Sequence, residues 1–395
     1  MFSDIRVYII VGMFVIAGIA LLIFNWMIIL HSRGKKTSAA ARKEKWGDIL
    51  HRQTGLSPGK RLTDFKHRRL LIKQLSKAEN IVAYSHALQY IRSEFPKVYN
   101  DYIGRTQGAF HKLADIYARR HSIERACYAD FICSFPQVAG RTYSHLMDKL
   151  ISYVDDPNIY CRTNVLRALC STGNAQSVAN ALRIISDKQL FVHNHTLTTV
   201  LSSFAGDMRG KKILWEHLWS KWRYWNDNIK IAMIQFATKF SGHYKQALMP
   251  ILRDPVTDVG VRIAIIRYYG RYIYKPARPI LVEFVNSHSP IDVNLAIVAA
   301  SALKLYPAPK TVDNLQDALF SQNWHLRYNA SSSLVSIGSR RKLSKIMQSA
   351  DSHQREIVAY MLERKGAVFD SKSRKSATKN TRENVRENIR RKISA

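Results

Sequence analysis

The sequence predicts an all-α protein: a single N-terminal transmembrane helix followed by an α-solenoid of stacked helix pairs. Three observations predict it. Residues 7–30 form a run without one charged side chain. Beyond that run, apolar residues recur three and four apart, the spacing that lines one helix face. Through the second half a short motif returns at intervals of 32 or 33 residues, marked by Lys230, Arg262, Asn294 and Arg327, and self-similarity at that period is the signature of a repeat array.

The first element is residues 7–30. At about 1.5 Å per residue this run crosses the roughly 30 Å hydrocarbon core of a bilayer. Asn25 is its one strongly polar side chain, and Trp26 suits a membrane interface. A cleaved leader is the competing reading. It fits less well, because such leaders have an apolar core of about 7–15 residues and a small-residue cleavage site. Asp4 and Arg6 precede the run, whereas Arg33, Lys35, Lys36, Arg42, Lys43 and Lys45 follow it, opposed only by Glu44. The positive-inside rule then puts the N-terminus outside the inner membrane and the remaining chain in the cytoplasm. Those six cations are the candidate contacts to anionic lipid head groups.

Residues 1–31 are thus an anchor and residues 32–60 a basic juxtamembrane connector. Residues 39–52 are rich in helix formers, so Lys45, Trp46 and Arg52 either lie along the membrane surface or belong to a solvated linker. Residues 61–121 show only helical periodicity, as in Leu62, Phe65, Leu70, Leu71 and Leu75.

Composition sets the class of partner. In 395 residues, 61 Lys and Arg oppose 29 Asp and Glu, a formal charge of +32. A field of that sign attracts an acidic protein surface, anionic lipid or nucleic acid. Apolar content of 46% excludes a disordered chain. Cys127, Cys133, Cys161 and Cys170 make no metal-ligand spacing with histidine, and read as reduced, buried small hydrophobes.

Residues 122–366 carry the repeat. Its clearest copy runs Leu326-Arg327-Tyr328-Asn329-Ala330 to Leu334 and Gly338. Others start at Cys161-Arg162, Ile229-Lys230, Val261-Arg262 and Val293-Asn294. Ala232, Ala264, Ala296 and Ala330 fall where neighbouring helices approach closely. No single pair buries its apolar face alone, so the units must stack. The pattern resembles the HEAT repeat, whose second helix reads V-R-x-x-A-x-x-A-L before a glycine. The resemblance implies a scaffold or binding surface rather than an activity. It also implies an Asp in the turn paired with an Arg six residues on, which Asp156 and Arg162 match and Lys230, Arg262, Asn294 and Arg327 do not. Anchored arrays of this kind are often bacterial, and by analogy an accessory role in envelope polysaccharide synthesis is expected.

Two stretches stand out as candidate surfaces. Trp215, Trp219, Trp222 and Trp225 fall on one helical face, either an aromatic docking face or core filling a wider gap in the array. Arg262, Arg267, Arg271, Lys275 and Arg278 are interleaved with Tyr268 and Tyr272, and Arg327, Arg340 and Arg341 follow in a second acid-free stretch. Stacking brings such positions into register, so they form a candidate basic and aromatic face. Residues 367–395 are a basic tail, disordered at first, with a short amphipathic helix over residues 381–393.

No phosphate-binding glycine loop, zinc-protease motif or nucleophile elbow is present, and no cofactor or metal site is expected. His193-Asn194-His195 lacks acidic neighbours to complete a metal site. The expectation is a non-enzymatic, membrane-anchored scaffold that holds an acidic or membrane-associated protein partner on its basic surface, reinforced by anionic lipid. The alternative is a nucleic-acid-binding array held at the membrane.

Overall fold

The computed structural model describes Leu21, Trp26 and residues 39–140, 144–287, 292–348 and 354–366. Among these residues every regular element is a helix and no strand occurs. The predicted anchor over residues 7–30 lies outside the described residues except for Leu21 and Trp26, as does the tail over residues 367–395. No helix among the described residues is long and apolar enough to cross a membrane. The chain divides between Asn226 and Asp227 into two compact units.

The first unit contains α1 (residues 39–54), α2 (Asp64–Leu75), α3 (Ala78–Glu94), α4 (Pro96–Ala118), α5 (Ser122–Ser134), α6 (His145–Ser152), α7 (Ile159–Thr172), α8 (Ala175–Asp187), α9 (Asn194–Ser202) and α10 (Met208–Trp219). From α3 on, the odd helices pack one on the next as one layer, and α2, α4, α6, α8 and α10 pack likewise as a second. That arrangement is an α-solenoid. The layering therefore begins well before residue 122, where the sequence motif first becomes visible.

The turns follow from local chemistry. Asn158 and Asn174 accept the second and third amides of α7 and α8, at 2.8 Å in each case. Gly173 sits at φ 74°, the left-handed position that lets α7 end and α8 begin within two residues.

Within the expected connector over residues 32–60, residues 39–54 form a packed helix. Trp46 is buried edge-on against Tyr84, with ring centroids 5.2 Å apart, and Leu50 is buried one turn on. Arg42 pairs with Glu79 of α3 at 3.3 Å. Trp46, Leu50 and Gln53 share one helical stripe, and this stripe is committed to the core rather than to a membrane surface.

The second unit contains α11 (Asp227–Phe240), α12 (Lys245–Arg253), α13 (Val259–Tyr269), α14 (Arg278–Asn286), α15 (Val293–Ala302), α16 (Pro309–Asp317), α17 (Trp324–Ile337), α18 (Arg340–Met347) and α19 (residues 354–366). Here α11, α13, α15 and α17 form one layer, while α12, α14 and α16 each back the odd helix that follows. Ala232, Ala264, Ala296 and Ala330 are all buried, as close helix approach requires. Asn329 donates to the Ile297 carbonyl at 2.9 Å, and Ser333 donates to that of Ala300 at 2.6 Å, tying α17 to α15.

Candidate binding surface

Arginines at the starts of odd helices serve the fold. In the first unit, Arg162 donates to the carbonyls of Val154, Asp156 and Phe191 at 3.2, 3.0 and 2.6 Å. The Asp156 carboxylate accepts from the Asn158 amide at 2.8 Å and faces Arg125, one repeat earlier, at 3.0 Å. The expected Asp156–Arg162 side-chain pair is therefore replaced by a staggered ladder. The carboxylate bridges backward, and Arg162 holds the backbone.

In the second unit the equivalent arginines do the same. Arg262 donates to the Leu252 carbonyl at 3.3 Å and lies 4.9 Å over the Phe284 ring. Arg327 donates to the carbonyls of Ser321 and Gln322 at 2.6 and 3.3 Å. Both are half-buried. Their guanidinium groups close the ends of the preceding helices, so they leave the set of binding candidates.

The tyrosines leave it too. Tyr268 is fully buried; its hydroxyl donates to the Ser241 carbonyl at 3.0 Å and accepts the Tyr244 amide at 3.1 Å. Tyr306 repeats this one unit later, donating to the Tyr269 carbonyl at 3.0 Å and accepting the Tyr274 amide at 3.1 Å. Tyr269 donates to the Lys245 carbonyl at 2.7 Å, and Tyr272 to that of Thr238 at 3.0 Å. Burial pushes the phenol pKa of Tyr268, Tyr269 and Tyr306 upward, so they remain neutral donors. This tyrosine seam joins three consecutive turns, around residues 241–244, 270–277 and 303–308.

The seam runs along the edge of the second unit where odd helices end and even helices begin, the trailing edge. Arg267, Arg271, Lys275 and Arg278 are exposed around its middle turn, and Arg340 and Arg341 are exposed where α18 begins. The structure adds members that sequence spacing did not single out. Lys239 and Lys245 flank the first turn, and Lys304 and Lys310 flank the third. Their signal was position within two residues of a helix end, visible only once the helix boundaries are known.

Acids lie elsewhere. Among the described residues of this unit, Asp227, Asp254, Asp258, Glu283, Asp292, Asp317 and Glu356 lie at or toward the opposite, leading edge, where odd helices start. Asp313 sits mid-helix and pairs with Lys342 at 2.5 Å, which leaves Glu363 as the acid of the trailing edge. Two open clefts of about 540 and 650 Å³ also lie at the leading edge, the first against Val285, Phe320 and Leu326, the second against Pro255, Glu283 and Phe284.

The tryptophan set of the first unit splits. Trp215 and Trp225 are buried, and the Trp225 indole N–H donates to the Leu218 carbonyl at 2.8 Å. Those two are core, not a docking face. Trp219 and Trp222 are half-buried: Trp219 stacks on Trp215 with centroids 5.5 Å apart, and Trp222 lies tilted against Trp219 at 5.0 Å. Of the candidate lipid contacts, Lys43 and Lys45 are exposed, Arg42 is paired as above, and Arg33, Lys35 and Lys36 lie outside the described residues. The Nδ1 atom of His193 accepts the His195 amide at 3.2 Å, a helix cap. No group of three metal-ligating side chains occurs among the described residues. Cys161 and Cys170 are buried, and burial pushes all four thiols up, that of Cys127 to about 11.

With the geometry in place, comparison with known proteins adds no identity. No protein-family model matches the chain, and no curated protein is significantly similar to it.

Proposed function

We propose that this chain is a membrane-anchored, HEAT-like scaffold whose second unit holds an acidic protein partner. One observation carries the reading. Exposed cations gather on the trailing edge of residues 227–366 while the acids lie almost wholly along the leading edge. Segregation of this kind focuses a positive potential on one surface. Solubility alone asks only for charges of both signs interspersed. Residues 7–30 would tether that surface to a bilayer, with the array on the cytoplasmic side, and an accessory task in envelope polysaccharide synthesis is one setting for it.

The nucleic-acid reading rests on basic residues interleaved with aromatic ones, because unpaired bases stack on exposed rings. Tyr268 and Tyr269 are fully buried and spend their hydroxyls on backbone carbonyls. Tyr272 is half-buried and bonds the Thr238 carbonyl, so the stacking platform is much reduced, which favours the protein partner.

A photo-crosslinking residue placed at Arg278 in the full-length protein, activated in its native membrane, tests the scaffold. The expected result is a reproducible adduct with one acidic protein. Recovery of no protein adduct from that position would sink the proposal.

A further inference from the structure

We infer that the element seated on the trailing edge of residues 227–366 is an extended Asp- and Glu-rich segment of the partner, lying along the row of turns. The inference rests on the scaffold reading and goes further, to the shape and chemistry of what is held.

The tyrosine seam fixes the row. Because Tyr268 and Tyr306 each bond to the turn before their own, the turns near residues 241–244, 270–277 and 303–308 follow one another in order. Each carries exposed or half-buried cations: Lys245 at the first, Lys275 and Arg278 at the second, Lys304 and Lys310 at the third. Arg340 continues the row at the start of α18. Helices pack about 8–10 Å apart, so the span from the first turn to α18 is roughly 30 Å. An extended chain covers that distance in about nine residues, at roughly 3.3 Å each.

Helix stability does not explain the row. Lys245, Arg278, Lys310 and Arg340 lie in the first turns of α12, α14, α16 and α18, none of which has an acid there. The helix dipole disfavours cations at that end. These side chains thus oppose the dipoles of their own helices, and a bound anion relieves that opposition.

A bilayer is the other anionic surface in reach, and the distribution of apolar side chains argues against it. Peripheral membrane contact combines basic and exposed apolar residues on one face. In this unit Val256, Phe320 and Trp324 are exposed at the leading edge, whereas Ile273 is the large aliphatic exposed beside the basic turns. Most exposed cations and most exposed apolar groups of this unit thus lie on opposite edges, which suits a carboxylate-bearing chain.

The test uses the purified full-length protein in detergent and a fluorescent polyglutamate of about twelve residues, long enough to span the row. Two edge variants, Lys275→Ser/Arg278→Ser and Lys304→Ser/Lys310→Ser, are compared with Arg253→Ser/Lys345→Ser, which removes equal charge away from that edge. Each edge pair is expected to weaken binding about tenfold at low salt, and the control pair less than about twofold. Unchanged thermal melting of each variant shows that it folds. Equal weakening by all three pairs, or no binding to the wild-type protein, overturns the inference. So does an edge-specific loss for an oligothymidylate or for phosphatidylserine mixed micelles with none for polyglutamate. A crosslinked partner without an acidic segment also overturns it, yet leaves the scaffold standing; absence of any protein adduct removes the scaffold itself.

Discussion

Single side chains hold the turns of both units through bonds to backbone atoms. Replacing Tyr268 by Phe leaves the Ser241 carbonyl and the Tyr244 amide without their hydroxyl partner. The expected loss is about 1–3 kcal/mol in denaturant unfolding, the range for orphaned buried groups. Gly242 is required by close approach. A Cβ there would lie 2.7 Å from the Tyr272 ring, so Gly242→Ala should displace the ring and lower the melting temperature. In the first unit, the His67 ring bonds the Tyr102 hydroxyl at 2.8 Å, and Tyr84 donates to that same hydroxyl at 3.2 Å. Burial lowers the His67 pKa from 6.5 to about 4. The sign follows: between those values the unfolded chain takes up a proton that the folded chain refuses. Stability contributed by neutral His67 is therefore lost as pH falls from about 6.5 to about 4, and changes no further below that. His111 and His217, whose pKa values burial also lowers, add the same sign. Thermal melts across this range should show the slope, and His67→Gln should reduce it.

At the scale of helices and turns, the arginine caps explain why basic side chains of similar sequence context differ in consequence. Arg162→Met strips three backbone carbonyls of their donor and should cost about 2–4 kcal/mol. Arg167→Met removes an exposed ion pair with Asp130 at 3.4 Å and should change unfolding by less than about 1 kcal/mol. The helices and their stacking were legible in the sequence, because apolar spacing and the recurrent small residues Ala264, Ala296 and Ala330 report directly on which face is buried. The surface was less legible. Arg267 and Arg271 lie one turn apart on α13 and the loop after it, as do Tyr268 and Tyr272, and spacing alone does not say which pair faces out. Both tyrosines bond backbone carbonyls, Tyr268 fully buried and Tyr272 half-buried, and both arginines are exposed. Trp46 sits among Lys45, Glu44 and Lys43 and so resembles a surface residue, but its stripe continues through Leu50 and Gln53, which are buried. Arg262 and Arg327 differ from the exposed arginines for a related reason. Their partners are carbonyls, and main-chain acceptors leave no mark in a sequence.

For the whole molecule, charge and the proposed tether lead to measurements in cells. The proposed anchor over residues 7–30 predicts that the protein stays with the membrane fraction through alkaline carbonate washing and that removal of residues 1–31 releases it. A partner held by exposed cations should dissociate steeply as salt rises from about 0.1 to 0.5 M, because the Debye length falls well below the roughly 10 Å found at 0.1 M. One mechanical consequence remains within residues 227–366. The trailing edge is sewn turn to turn by tyrosine hydroxyls, whereas the leading edge holds the two open clefts. Flexing of this unit should therefore change the clefts more than the distances between the turns near residues 241–244, 270–277 and 303–308, which the hydroxyls tie together.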